Sequence, residues 1–244
     1  MKAISANALT KKYGEKTVVN SLDLQIEEGE LFALLGINGA GKSTTIKMLS
    51  CISKPTSGEA FILGNSILKD PMKVKEVINV SPQETAVAPN LTVRENLELI
   101  AGIYGNDRNK AKAMAQDTIN KFGLSEIAKD RAKTLSGGWQ RRLSIAMALI
   151  SNPKILFLDE PTLGLDVIAR RELWNIIEDL KGKVTIILTT HYLEEAEALS
   201  DRIGIMVKGD LKAVGTAKEL INKTHTENFE DAFIAFTCQG GIAL

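Results

Sequence analysis

Gly36-Ile-Asn-Gly-Ala-Gly-Lys-Ser-Thr44 lies between the apolar run Leu31-Phe-Ala-Leu-Leu35 and the helix-compatible Ile46-Lys-Met-Leu49. Strand, glycine-rich turn and helix form the context in which Gly, four free positions and then Gly-Lys-Ser hold a phosphate. Gly36, Gly39 and Gly41 are expected to take positive φ and turn their N–H groups inward, where a Cβ would obstruct the phosphate. The helix after Gly41 adds unpaired N–H donors and the positive end of its dipole. Lys42 brings a point charge to the outer phosphates, and the Ser43 hydroxyl is a ligand for Mg²⁺. A plain strand-to-helix turn is the alternative, and it must be weighed against the rest of the chain.

At 244 residues the chain can bury an ample core as one large domain or two small ones. Acidic and basic residues balance at 30 each, so no excess positive field marks a nucleic-acid partner. Cys51 and Cys238 are far apart and have no metal-ligand spacing, which fits a reducing cytosol. The opening Met-Lys-Ala-Ile-Ser-Ala lacks the long apolar region of a secretory leader. No stretch approaches the roughly 20 apolar residues that cross a bilayer, so any membrane segment is expected on another chain.

Residues 1–35 read as β-structure. Leu22, Leu24 and Ile26 alternate with Asp23 and Gln25, as in a half-exposed antiparallel strand. After the turn Glu28-Gly-Glu30, the unbroken Leu31-Phe-Ala-Leu-Leu35 predicts a strand buried on both faces. Glu59-Ala-Phe-Ile-Leu63 and Val77-Ile-Asn-Val80 read as further strands, the second ending at Ser81-Pro-Gln83. Residues 90–133 are helix-like, with Thr92-Val-Arg-Glu95 as a capping box and Gly102 and Gly105 as punctuation. Ile155-Leu-Phe-Leu158 predicts a second fully buried strand, followed by a helix whose Leu173, Trp174, Ile177 and Leu180 form one stripe. Val184-Thr-Ile-Ile-Leu188, a helix over 193–199, the strand Ile203-Gly-Ile-Met-Val207 and a second capping box, Thr216-Ala-Lys-Glu219, complete the pattern. Strands alternating with helices imply a mainly parallel, helix-covered sheet with an antiparallel layer in front.

Asp159-Glu160 follows a buried strand, whose carboxyl end in a parallel sheet points at the ligand crevice. Asp159 suits Mg²⁺ as a hard oxygen ligand, and Glu160 suits a proton-accepting role toward an attacking water. An acidic pair capping the next helix remains the alternative. Leu135-Ser-Gly-Gly-Trp-Gln-Arg-Arg142 heads another helix with Ser136 as N-cap. Trp139 occupies the third helical position, so no capping box forms, and the uncovered helix start is a candidate anion site.

These motifs, with Gln83, Gly164-Leu-Asp166 and His191, occur in the order and approximate spacing of the ATP-binding subunit of ABC transporters, which the chain resembles over nearly its whole length. The resemblance implies an α/β fold: a P-loop NTPase (RecA-like) core with a mainly parallel sheet, an antiparallel β-layer and a helical subdomain. Segments 1–83 and 151–222 would be the catalytic core, 84–150 the helical subdomain ending in the signature helix, and 223–244 a C-terminal tail. It implies ATP and Mg²⁺ as cofactors. Residues 36–44 (Gly36, Asn38, Gly39, Ala40, Gly41, Lys42, Ser43 and Thr44 among them) match Walker A; Ile155 to Glu160 match Walker B, with Glu160 as the base. Gln83 matches the glutamine that senses Mg²⁺ and touches the transport subunit. Ser136, Gly137 and Gly138 match the signature that meets the γ-phosphate held by a second copy, and Asp166 the D-loop. His191 matches the switch histidine, and Tyr13 the aromatic that stacks on adenine. On their own a lone histidine is more often structural, and a tyrosine at a strand end needs no ligand.

Trp139 departs from the family pattern, which has Gln there, and puts in question any polar contact from that position across a dimer. Thr190-His-Tyr-Leu-Glu-Glu-Ala-Glu197 and residues 228–237 resemble the subfamily that drives multidrug, ion and lipid-like exporters; for the latter stretch an ordinary amphipathic terminal helix is the alternative. The resemblance thus implies an ATPase subunit that forms an ATP-dependent homodimer, partners a membrane-spanning permease subunit and sits on the inner face of the cell membrane through it. The competing reading is a soluble ABC-type ATPase acting on DNA or ribosomes, whose coiled-coil insertions, zinc sites or paired cassettes are not visible here. A phosphate-transferring kinase would share the glycine turn but has no need of Leu-Ser-Gly-Gly.

Overall fold

The computed structural model describes residues 1–238. β1 (Lys2–Tyr13) and β2 (Lys16–Glu27) pair antiparallel, and β2 buries Leu22, Leu24 and Ile26 while exposing the polar residues between them. β3 (Leu31–Leu35) leaves this layer and is buried throughout. After α1 (Lys42–Leu49), β4 (Ser57–Ile62) and β5 (Asn65–Ser66) complete a four-stranded sheet of order β2-β1-β4-β5. α2 (Pro71–Val77) leads into β6 (Ile78–Ser81). Helices α3 (Val93–Ile103), α4 (Arg108–Lys121) and α5 (Gly137–Leu149) occupy the middle. Then follow β7 (Ile155–Asp159), α6 (Val167–Glu178), β8 (Thr185–Thr190), α7 (Leu193–Leu199), β9 (Arg202–Val207), β10 (Asp210–Gly215), α8 (Ala217–Thr224) and α9 (Phe229–Cys238).

The second sheet has the order β10-β9-β3-β8-β7-β6. Every pairing in it is parallel except that of β10 with β9. β3 lies between β8 and β9, strands from the far end of the sequence. The unbroken apolar runs follow from two-sided burial, with alternate residues serving different cores. Phe32, Leu34, Ile155, Phe157 and Ile187 pack toward the antiparallel layer and α1. Leu156, Leu158, Ile186 and Leu188 pack with α3, α4, α5 and α6. The helical middle therefore shares its core with the sheet. Leu173, Trp174 and Ile177 form the buried stripe of α6, whereas Leu180 lies just past the helix end and is only partly buried.

Three elements escape the sequence reading: β5, α2 and β10. α2 buries only Val74 and carries no periodic stripe. β10 returns from β9 through Lys208-Gly209, whose φ values of 48° and 93° belong to a tight two-residue hairpin. α9 takes the ordinary packing role: Phe229 and Ala232 are buried against the side of the sheet formed by Ala33, Leu35, Ile203 and Ile205. Residues 239–244 of the tail lie outside the described residues.

Candidate active site

The turn after β3 is fixed from behind. Gly39 and Gly41 take φ of 81° and 106°, as expected, but Gly36 does not have a positive φ. A Cβ on Gly36 would lie 2.3 Å from the Met206 carbonyl oxygen, and one on Gly41 2.5 Å from that of Val18. Those two glycines are therefore required by β9 and β2 behind the loop. A Cβ on Gly39 would meet nothing within 4 Å. The hairpin tip adds a brace, because Gly209 N–H donates to the Ala40 carbonyl at 2.9 Å.

α1 starts at Lys42 with no side-chain cap, so the donors of its first turn are not consumed by the protein. They line a cavity of about 370 Å³ with Val18, Asn38, Gln83, Glu160, Leu163 and His191. Lys42 is 4% exposed; its ammonium donates to Gly36 O at 2.7 Å and lies 3.5 Å from Glu160 Oε1. Burial lowers its pKa, and Glu160 and Asp159 oppose that shift.

Asp159 is the last residue of β7. Its Oδ1 accepts from Ser43 Oγ at 3.0 Å and from Thr189 Oγ1. Glu160 follows with φ of 47°, a left-handed conformation uncommon outside glycine that costs on the order of 1 kcal/mol. Its N–H is held by the Thr189 carbonyl and hydroxyl, each at 3.1 Å. His191 Nδ1 lies 3.2 Å from Glu160 Oε2 but makes no hydrogen bond, so the imidazole is near the carboxylate without being fixed by it.

The remaining residues singled out from the sequence lie outside this cavity. Tyr13 is 53% exposed at the end of β1, with Lys11 Nζ 4.9 Å from its ring centre. Asp166 caps α6, its Oδ1 accepting from Ile168 and Ala169 N–H. Ser136 caps α5, accepting from Trp139 N–H, while Gly137 stands exposed beside it. Trp139 itself lies under the Arg142 guanidinium at 4.4 Å, and Arg142 pairs with Glu172 of α6 at 2.7 Å, so it is Arg142, stacked on the indole, that ties α5 to α6. Sequence reasoning missed Arg141, Thr189 and Glu195. Arg141 stands next to another arginine in a polar stretch, and nothing in the sequence distinguishes the buried one from its partly exposed neighbour.

Residues 19–163 match the family described as ABC transporter, from within β2 through Glu160. The chain belongs to the ABC transporter family. This ABC chain is 41% identical to a linearmycin resistance ATP-binding protein of Bacillus subtilis over 221 residues, 90% of this chain and 71% of that protein. It is 41% identical to a daunorubicin/doxorubicin resistance ATP-binding protein of Streptomyces peucetius, covering 90% of this chain and 67% of the relative. Against the human phospholipid-transporting ATPase ABCA3 the identity is also 41%, but the match spans only 12% of that longer protein. Among solved structures, an ATP-binding subunit of an ABC transporter superposes with a TM-score of 0.85 at 27% identity, covering 96% of this chain and 99% of that one. A dimeric post-hydrolysis ATP-binding cassette bound to ADP and phosphate gives 0.78 at 28% identity, over 87% of this chain and 98% of the other. The ABC chain is thus an ATPase with the P-loop NTPase fold.

The ABC site fits the groups that the family uses. The open helix start of α1 with Lys42 suits the phosphates of ATP. Ser43 Oγ and Asp159 Oδ1, 3.0 Å apart, form a hard oxygen pair suited to Mg²⁺. Among the described residues no cluster of three or more His, Cys, Asp or Glu could hold a metal unaided.

Proposed function

We propose that this chain is the ATP-hydrolysing subunit of a membrane exporter for amphipathic or lipid-like molecules. The observation that supports it most is the division of phosphate-binding features. Lys42, Ser43, Glu160, Gln83 and His191 converge on one cavity, with Asp159 hydrogen-bonded to Ser43 behind it, while the Ser136-Gly137-Gly138 helix start lies outside it. A second copy then supplies the missing anion contacts, and two copies close around two nucleotides with two-fold symmetry. Tyr13, exposed at its strand end, is the adenine platform in this reading.

In the proposed chemistry Lys42 exchanges its loop carbonyls and Glu160 for phosphate oxygens. Ser43 and Asp159 would hold the cation directly or through water, and Gln83, which lines the same cavity, would be its further protein partner. The cation neutralises charge on the outer phosphates when bound. Glu160, released from Lys42, accepts the proton of the attacking water, and His191 contacts the γ-phosphate beside it. Asp166 acts at the seam with the second copy. Residues 84–150 form the helical subdomain toward the permease, with 1–83 and 151–222 as the catalytic core.

Among the described residues no helix is long and apolar enough to cross a membrane. The proposal therefore places the chain on the cytoplasmic face through a separate membrane subunit. The export direction rests on the resistance and phospholipid-transporting relatives. A DNA- or ribosome-acting ATPase finds no support among the transporter relatives. The test is assembly: Glu160→Gln with Mg-ATP should run as a dimer by light scattering and with ADP as a monomer. Adding Ser136→Arg should abolish the dimer with ATP still bound. A double variant that dimerises normally would sink the proposal.

A further inference from the structure

Arg141 lies in the second turn of α5 and is 4% exposed. Its guanidinium has five N–H donors, and each meets a backbone carbonyl. Nε donates to Pro161 O at 2.7 Å. One terminal nitrogen donates to Pro82 O and to Gln83 O at 3.0 Å. The other donates to Asp159 O at 2.8 Å and Glu160 O at 2.6 Å. Among the described residues it makes no ion pair, and burial brings its pKa down to about 10, so it stays charged at neutral pH.

The acceptors are specific in a way that packing does not require. The carbonyls of Pro82 and Gln83 belong to the peptide groups on either side of the Gln83 Cα. Those of Asp159 and Glu160 belong to the peptide groups on either side of the Glu160 Cα. Holding both flanking peptides fixes φ and ψ of the residue between them. One planar, rigid fork therefore sets the backbone of Gln83 and of Glu160 together, including the left-handed φ of 47° at Glu160. A lysine, with three rotatable donors on a point charge, cannot reproduce that geometry.

We propose that Arg141 is a positioning residue that locks the Gln83 and Glu160 loops to each other and to the helix beginning at Ser136. The inference rests on the functional reading above for what Gln83 and Glu160 do, but not for the clamp itself. Its consequence is a link between the two nucleotide sites of a dimer. The start of α5 serves the nucleotide held by the other copy, whereas Arg141 on the same helix sets the base of its own copy. A displacement of α5 by one nucleotide is thereby transmitted to the base acting on the other.

The test uses the full chain carrying Arg141→Gln and, separately, Arg141→Lys. Without nucleotide, hydrogen exchange followed by mass spectrometry should show faster exchange in segments 81–85 and 159–163 together. Segments of β1, β2 and α4 should be unchanged. With nucleotide, kcat should fall about 10²-fold, the scale of misplacing a catalytic group by an ångström. Affinity for a fluorescent ATP analogue should stay within about threefold, since the phosphate turn is untouched. The ATP dependence of turnover should lose its cooperativity. Arg141→Lys keeps the charge and stem, so it decides the matter if the glutamine variant misfolds. Exchange that rises in one segment only, or turnover that persists despite loosened loops, overturns the clamp. Normal hydrolysis by Glu160→Gln would instead overturn the functional reading and leave the exchange result standing.

Discussion

Glu160 carries the sharpest prediction at the scale of single residues. Glu160→Gln keeps size and Asp159 intact and removes only the proposed proton acceptor. ATP binding should persist, by titration calorimetry, while hydrolysis slows by about 10²–10⁴, the usual worth of a positioned base. The glycines separate two causes that the sequence merges. Gly36→Ala drives a Cβ into the Met206 carbonyl and should lower the melting temperature by several degrees. Gly39→Ala meets no atom and carries only the strain of its 81° φ, so its loss of stability should be smaller. Glu195 supplies a pH test. It is fully buried; Oε1 accepts from Thr162 and Trp174, and Oε2 has no hydrogen-bond partner among the described residues. Burial raises its pKa above the ordinary carboxylate range, against the pull of these hydrogen bonds. A raised folded-state value means that its stabilising contribution is complete at low pH and is lost as pH rises through that value. The wild type should therefore lose more melting temperature between pH 5 and pH 8 than Glu195→Gln does. Equal slopes by calorimetry would show that this carboxyl does not titrate with folding.

Among the elements, those with strong local signals were legible and those held by tertiary contact were not. β3 and β7 announced themselves as unbroken apolar runs because both faces are covered. The capping boxes at Thr92 and Thr216 are present as read, each with reciprocal side-chain bonds. β10 was missed because its burial is partial and its residues mixed, although Lys208-Gly209 is a hairpin signal. The site was legible wherever chemistry shows in residue type: Lys42, Ser43, Glu160, Gln83 and His191 do share one cavity, and Asp159 accepts from Ser43 beside it. Thr189 and Arg141 were not, since their roles come from packing beside strand ends that no local pattern reveals. The β9–β10 hairpin is more than an edge. Gly209→Ala places a Cβ 2.8 Å from the Val18 carbonyl at a φ of 93°. It should displace the donor to Ala40 and weaken nucleotide binding measurably, although residue 209 lines no part of the cavity. Unchanged affinity in a folded variant would mean that the phosphate turn stands without this brace.

For the whole molecule, the surface beside Asp166 makes an assembly prediction. Val167 and Ile168 are 71% and 73% exposed at the start of α6, next to half-exposed Leu163 and near the open nucleotide cavity that Leu163 lines. Apolar side chains so placed are expected to be covered in the proposed ATP-bound dimer. Ile168→Asp in the Glu160→Gln background should shift the light-scattering mass toward the monomer with ATP present, leaving nucleotide affinity alone.

The position of β3 between β8 and β9 also dictates when the protein becomes competent during synthesis. The phosphate turn is synthesised well before its neighbours, since Leu31–Leu35 pairs with residues 186–190 on one side and Arg202–Ile205 on the other. Neither neighbour exists until those later residues have been made, and the Met206 carbonyl and Gly209 amide that brace the turn come later still. Contacts so distant in sequence form late and slowly. A nascent chain stalled at residue 180 should therefore display the whole glycine motif and capture no ATP, and capture should begin only once residue 209 has cleared the exit tunnel.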